Sequence, residues 1–136
     1  MEAKCKWHQD GTLPEEEDAI FVFGSNMLGQ HVGGAARVAE EQYGAAPGFA
    51  MGAMGHSYAV ATLNEWWNQV SLETVRQQVL LMLEWYEQAG SDFPLFITRV
   101  GCGIAGFSDK EIAPMFESFL DYENVSLPDT WKDILL

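Results

Sequence analysis

The stretch AIFVFGSNMLGQHVGGAARVAEEQYG, residues 19–44, carries the three signals from which the fold is read. Ala19 to Phe23 is a short, unbroken apolar run, the pattern of a strand covered on both faces. It passes without a spacer into residues 24–34, where Gly24, Gly29, Gly33 and Gly34 permit positive φ and close backbone approach. A helix is predicted from Gly34 to Tyr43, built on Ala35, Ala36, Val38 and Ala39 and stopped by Gly44. Strand, glycine loop and helix in that order make the first half of a βαβ unit.

Working outward, residues 45–55 are dense in Gly, Ala and Met and read as an ordered loop broken by Pro47. A second strand is predicted over Ser57–Thr62, followed by a connection that holds the Trp66-Trp67 pair. Ser71 is a suitable N-cap for the most regular helix of the chain, in which Leu72, Val75, Val79, Leu80, Leu83 and Tyr86 recur at helical spacing before Gly90 ends it. Phe93 to Val100 is a further apolar strand and runs into the second glycine loop, Gly101 to Phe107. Ser108 and Glu111 match a capping box for a helix over about 109–120, in which Pro114 lies uncomfortably deep. Val125 to Leu127 is a short last strand, and a tail with Trp131 follows.

Residues 1–18 lack a sustained apolar period and read as a lead-in segment, with Trp7 and Leu13 as the residues to bury; residues 19–136 form a single domain. The alternation implies right-handed crossovers and an α/β fold with a mostly parallel central sheet between helical layers, a three-layer α/β/α arrangement. Both glycine loops then open at the carboxyl edge of the sheet, where ligands of such folds bind.

Composition narrows the function. Twenty acidic residues against 7 basic ones in 136 residues give a net charge of −13. Such a chain repels a nucleic-acid backbone, so direct nucleic-acid binding is excluded, while a basic protein partner remains open. No apolar run is long enough to cross a bilayer, and the charged start does not resemble a secretion signal, so the expected location is cytoplasmic. Cys5 and Cys102 sit in unlike contexts and read as free thiols, and the three histidines show no metal-ligand spacing. No metal or cofactor is implied, and the sequence does not set the oligomeric state.

Each glycine loop leaves a strand and enters a helix, so unpaired amides and the positive end of a helix dipole converge on an anion. A chain this acidic needs such neutral, local donors to hold phosphate, and two loops on one edge bracket a diphosphate. The candidate ligand residues are Gly24, Ser25, Asn26, Gly29, His31, Val32, Gly33 and Gly34 in the first loop. In the second they are Gly101, Cys102, Gly103, Ile104, Ala105, Gly106 and Phe107, with Arg99 just before it. Arg99 suits either a ligand phosphate or a carboxylate such as Asp109. His31 has a side chain suited to proton transfer near neutral pH or to shaping the loop. Cys102 lies among amides that can activate a thiol, but has no adjacent His.

The segment Asn26 to Ala35 resembles the macro-domain pattern of an Asn, a glycine run, a Val, an Asp and then Gly-Ala at a helix start. The segment Thr98 to Phe107 resembles that family's second phosphate loop. The likeness covers about residues 19–128. It is closer still to small bacterial and phage proteins with an F-G-S-N loop and an R-[IV]-G-C-G-[IL]-A-G-[FY] loop. The resemblance implies a macro-like fold that binds ADP-ribose or a derivative. Asn26 would lie at the distal ribose, Val32, Gly33 and Gly34 along the diphosphate, and Gly103 to Phe107 on its other side, with Phe107 near the ribose. The phage association suggests capture or destruction of such a signal in host defence.

Gly33 stands where hydrolytic members carry the Asp, which removes the carboxylate able to orient water. Two alternatives stay open. One is an ADP-ribosyl or phosphoester hydrolase using His31 or Asn26 as catalytic residues. The other is an acidic inhibitor that mimics nucleic acid and fills a basic groove of a protein partner.

Overall fold

A computed structural model describes residues 3–31 and 33–136. Val32, one of the candidate ligand residues, lies outside the described residues. Among the described residues six strands form one sheet, β1 (Lys6–His8), β2 (Ile20–Asn26), β3 (Gly52–Met54), β4 (Ser57–Leu63), β5 (Leu95–Ile97) and β6 (Val125–Pro128). Their spatial order is β1-β6-β5-β2-β4-β3, and every neighbouring pair is parallel except β3 with β4. The α/β class and the mostly parallel sheet read from the sequence are therefore what the chain adopts.

The apolar run that opened the reading is the centre of this sheet. Alternate side chains of β2 leave opposite faces, as a period of two requires. Ile20 and Val22 join the larger core cluster with Val60, Leu95 and Ile97, whereas Phe21 and Phe23 join a second cluster with Ala39, Ala59 and Phe96. All four β2 side chains are at most 6% exposed, and each such burial contributes about 1.5–3 kcal/mol relative to exposure. α1 (Gly34–Gln42) supplies Ala39 to the second cluster, and α2 (Leu72–Trp85) supplies Val75, Val79 and Met82 to the first. Ser71 caps α2 by accepting from the Thr74 amide at 3.1 Å, as its sequence position predicts.

Four elements differ from the sequence expectation, the first being the strand expected over Phe93–Val100, of which only Leu95–Ile97 pairs as β5. Lys6–His8, within the predicted lead-in, is strand β1 and pairs with β6. Gly52–Met54, within the predicted loop, is strand β3 and pairs antiparallel with β4, Met54 lying opposite Ser57. Both are three-residue edge strands, too short to show a period. The helix after Ser108 starts at Asp109 with its capping box formed, but α3 runs only to Ile112 and continues as a 3-10 helix over Ala113–Asp121. Pro114 is at the start of that tighter helix, where its missing N–H costs no bond. A one-turn helix α4 (Lys132–Leu135) ends the chain, and Trp131 before it is fully buried.

The topology fixes where a cleft can open. From β2 the chain crosses to β4 on one side, and from β5 it crosses to β6 on the other. The loops leaving β2 and β5 therefore diverge from two adjacent strands, which leaves a crevice at their carboxyl ends. Among the described residues no helix is long and apolar enough to cross a membrane.

Candidate functional site

A cavity of about 220 Å³ occupies that crevice, with walls from both glycine loops and from the end of β4. The loops are close: a Cβ built on Gly24 would sit 3.5 Å from the Gly101 nitrogen and 3.4 Å from Thr62 Oγ1. These are ordinary van der Waals separations, so the second loop lies directly against the start of the first.

In the first loop, the Asn26 side chain organises the backbone. Its Oδ1 accepts from the amides of Leu28 and Gln30, both at 3.1 Å, and its Nδ2 donates to the Gln30 carbonyl at 2.7 Å. The amides of Met27 and Gly29 are also used, by the carbonyls of Leu63 and Asn26. These four amides are not available to a ligand. Donors reappear at the helix entrance. Gly33 is extended, Gly34 is left-handed at φ +58°, and no side chain caps α1. Among the described residues the first bond of the helix runs from Arg37 to the Gly33 carbonyl, and Gly34, Ala35 and Ala36, which precede it, line the cavity.

The second loop divides in the same way. Cys102, Gly106 and Phe107 donate to the carbonyls of Arg99, Gly103 and Gly101. Among the described residues, the amides of Gly103, Ile104 and Ala105 have no such partner, and all three residues line the cavity. The base of this loop is stapled shut: Arg99 Nε and Nη2 donate to the two carboxylate oxygens of Asp109, each at 2.9 Å. Asp10 accepts a third bond from Arg99 at 3.3 Å, and Trp131 Nε1 donates to Asp109 at 2.8 Å. The Asp109 hydrogen bond drives the Arg99 pKa above its ordinary value. Burial pushes Asp109 upward, but the bonds from Arg99 and Trp131 outweigh it and hold the carboxyl below its usual range.

Of the predicted site residues, Gly24, Ser25, Asn26, Gly33, Gly34, Arg99, Gly101, Gly103, Ile104 and Ala105 border the cavity. Gly29, His31, Cys102, Gly106 and Phe107 do not. Gly29 packs on the backbone of Gly48 and Phe49, and Phe107 is buried against Gly101 and Ile112. Burial, followed by the nearby Asp109 carboxylate, pushes the Cys102 thiol up to about 12, the opposite of activation. The His31 side chain is fully enclosed, edge-on to Phe23 at 5.4 Å, with Nε2 donating to the Phe49 carbonyl at 2.9 Å. It shapes the loop from within and does not face the crevice. Arg99, open between phosphate and carboxylate in the sequence, is held by Asp109.

Sequence reasoning did not place Gln30, Ala35, Ala36, Thr62, Leu63 or Thr98 in the wall. The signal for Thr62 and Leu63 was present, since β4 is parallel to β2 and must end at the same edge. A second chamber of about 330 Å³ adjoins the first across Gly34, Ala35 and Thr98. Phe21, Val38 and Phe96 make it apolar, and His8 and Asp10 from the N-terminal segment close it. The His8 ring stacks on Phe96 with centroids 3.8 Å apart. Burial lowers the His8 pKa to about 4, so the ring is neutral at pH 7. Together the two chambers reach the ~300–1,000 Å³ typical of small-molecule sites.

What the fold and crevice define is an α/β protein with a cleft walled by its two glycine loops. No protein-family model, curated protein or solved structure matches the chain.

Proposed function

We propose that the chain binds ADP-ribose or a related ADP-ribose-derived nucleotide, in the manner of a macro domain, with the diphosphate between the two glycine loops. The observation that carries this reading is the pair of facing donor sets, Gly34 to Ala36 at the start of α1 and Gly103 to Ala105 in the second loop, around one cavity. Neutral donors suit an anion in a chain of net charge −13, because they act within hydrogen-bond range and do not depend on the long-range field. The adjoining apolar chamber suits the base, which can stack beside Phe96 and His8, with Asp10 at the rim as an acceptor for an amino group.

Binding is favoured over hydrolysis. Gly33 offers no carboxylate, His31 faces away from the cavity, and the Asn26 oxygen already accepts two amides. The reading as an acidic inhibitor makes no use of the cleft. Isothermal calorimetry with ADP-ribose is the test. Saturable heat with one site per chain is expected, and absence of heat with ADP-ribose, its cyclic isomers and an ADP-ribosylated peptide contradicts the proposal.

A further inference from the structure

On the β4 side the cleft is bordered by an aromatic residue on an unusual backbone. Trp67 lines the diphosphate cavity at φ +63°, the one described residue other than glycine with positive φ. A left-handed conformation at a bulky residue is a genuine outlier, held only where the surroundings impose it. Here they do. Asn64 Oδ1 accepts from the amides of Trp66 and Asn68, the Trp67 amide donates to the Asn64 carbonyl, and Gln69 Nε2 donates to the Ala105 carbonyl of the second glycine loop at 2.9 Å. The Trp67 side is thereby tied to the same loop that supplies Gly103 to Ala105. The ring is not core: Trp67 is 41% exposed and Trp66 73%.

The direction of the cleft follows from the sheet. Thr98 and Phe96, which wall the apolar chamber, belong to or follow β5, whereas Leu63 and Trp67 end or follow β4, and β2 lies between. With neighbouring strands about 4.8 Å apart, the two sides are separated by roughly 10 Å. A nucleotide with its base on the β5 side and its diphosphate over β2 therefore carries its far end to the face of Trp67. That end is walled by the apolar Leu63 and Trp67, with Thr62 beside them at the end of β4 to meet the second ribose that both ADP-ribose and a dinucleotide carry. Around Trp67 no Lys or Arg occurs in sequence between Arg37 and Arg76, and Glu65 is exposed beside the Trp pair; Arg99, which borders the cavity from the β5 side, is neutralised by Asp109. An indole face in an acidic setting prefers a flat ring bearing positive charge.

Resting on the diphosphate reading above, we propose that the preferred ligand is a dinucleotide whose second ring is a planar, cationic heteroaromatic, of the oxidised pyridine-dinucleotide class, stacked on Trp67. The test is calorimetric titration with oxidised pyridine dinucleotide, its reduced form and ADP-ribose. Wild type should bind the oxidised dinucleotide about tenfold more tightly than ADP-ribose and more tightly than the uncharged reduced form. Trp67→Phe should keep most of that ratio. Trp67→Gly, which removes the ring while suiting the positive φ, should retain the native circular dichroism and bring the ratio to about one. Equal or tighter binding of ADP-ribose by wild type, equal binding of the two dinucleotide forms, or an undiminished ratio in Trp67→Gly overturns the inference. If wild type takes up none of the three, the diphosphate reading itself fails and this inference falls with it.

Discussion

The two glycine loops are alike in composition and unlike in how they are held. The loop after β2 is organised by one neutral carboxamide, Asn26, which makes three hydrogen bonds to backbone within four residues. The loop after β5 is closed at its base by an ion pair, Arg99 with Asp109, reinforced by Trp131. Within each loop some glycines serve packing, as Gly29 and Gly101 do, and others stand in open space, as Gly33, Gly34 and Gly103 do. Glycine richness alone therefore does not identify a ligand contact. What matters is whether the local amides are already bonded and whether a Cβ would meet protein or the cleft.

The sharpest break in this comparison is Gly29→Ala. Gly29 is at φ +67°, and a Cβ there would overlap the Gly48 carbonyl carbon and stand 2.5 Å from the Phe49 nitrogen. A loss of about 4 kcal/mol is expected in urea denaturation. Next come Asn26→Ala and Asp109→Ala. Asn26→Ala leaves two amides and a carbonyl of the first loop without partners, and Asp109→Ala leaves Arg99 only its 3.3 Å bond to Asp10 and strands the Trp131 N–H. Each should cost about 3 kcal/mol by the same measurement.

Acid separates the two loops. The folded Asp109 carboxyl titrates below its ordinary value of 3.8, so its contribution is complete above that value and is lost as pH falls through the folded pKa. Amide exchange in residues 101–107 should accelerate below about pH 3.8 relative to residues 26–30, whose carboxamide clasp does not titrate. Equal acceleration in both loops would contradict the assignment of the ion pair as the staple. The smallest stability effect belongs to Gly103→Ala, which meets nothing within 4 Å. It should change stability by less than about 0.5 kcal/mol while weakening ADP-ribose binding about tenfold, because its methyl enters the cleft.

Much of this architecture was legible in residues 19–44 and 93–111. The unbroken apolar strand β2, the glycine loops and the Ser71 and Ser108 caps follow from local rules and are present, while the strand expected over Phe93–Val100 is shortened to Leu95–Ile97. The edge strands β1 and β3 were not, because three residues carry no periodicity and their pairing is decided by distant partners. The candidate site was legible as a place, not as a set of side chains. That Asn26, Cys102 and Phe107 would be turned to structural use, and that Trp67 would wall the cavity, depends on which way each loop closes. Spacing along the chain does not encode that direction. Arg99 shows the limit most clearly: its two possible partners were equal in the sequence, and the geometry of Asp109 and Trp131 decides between them.

The most direct test follows individual backbone amides by two-dimensional nitrogen–proton spectroscopy during titration with ADP-ribose. Binding through main-chain donors predicts the largest shifts at Gly34, Ala35 and Ala36 and at Gly103, Ile104 and Ala105, with smaller ones at the internally bonded Cys102, Gly106 and Phe107. Saturation with those six amides unmoved, or with the largest shifts on a different face of the sheet, would contradict it.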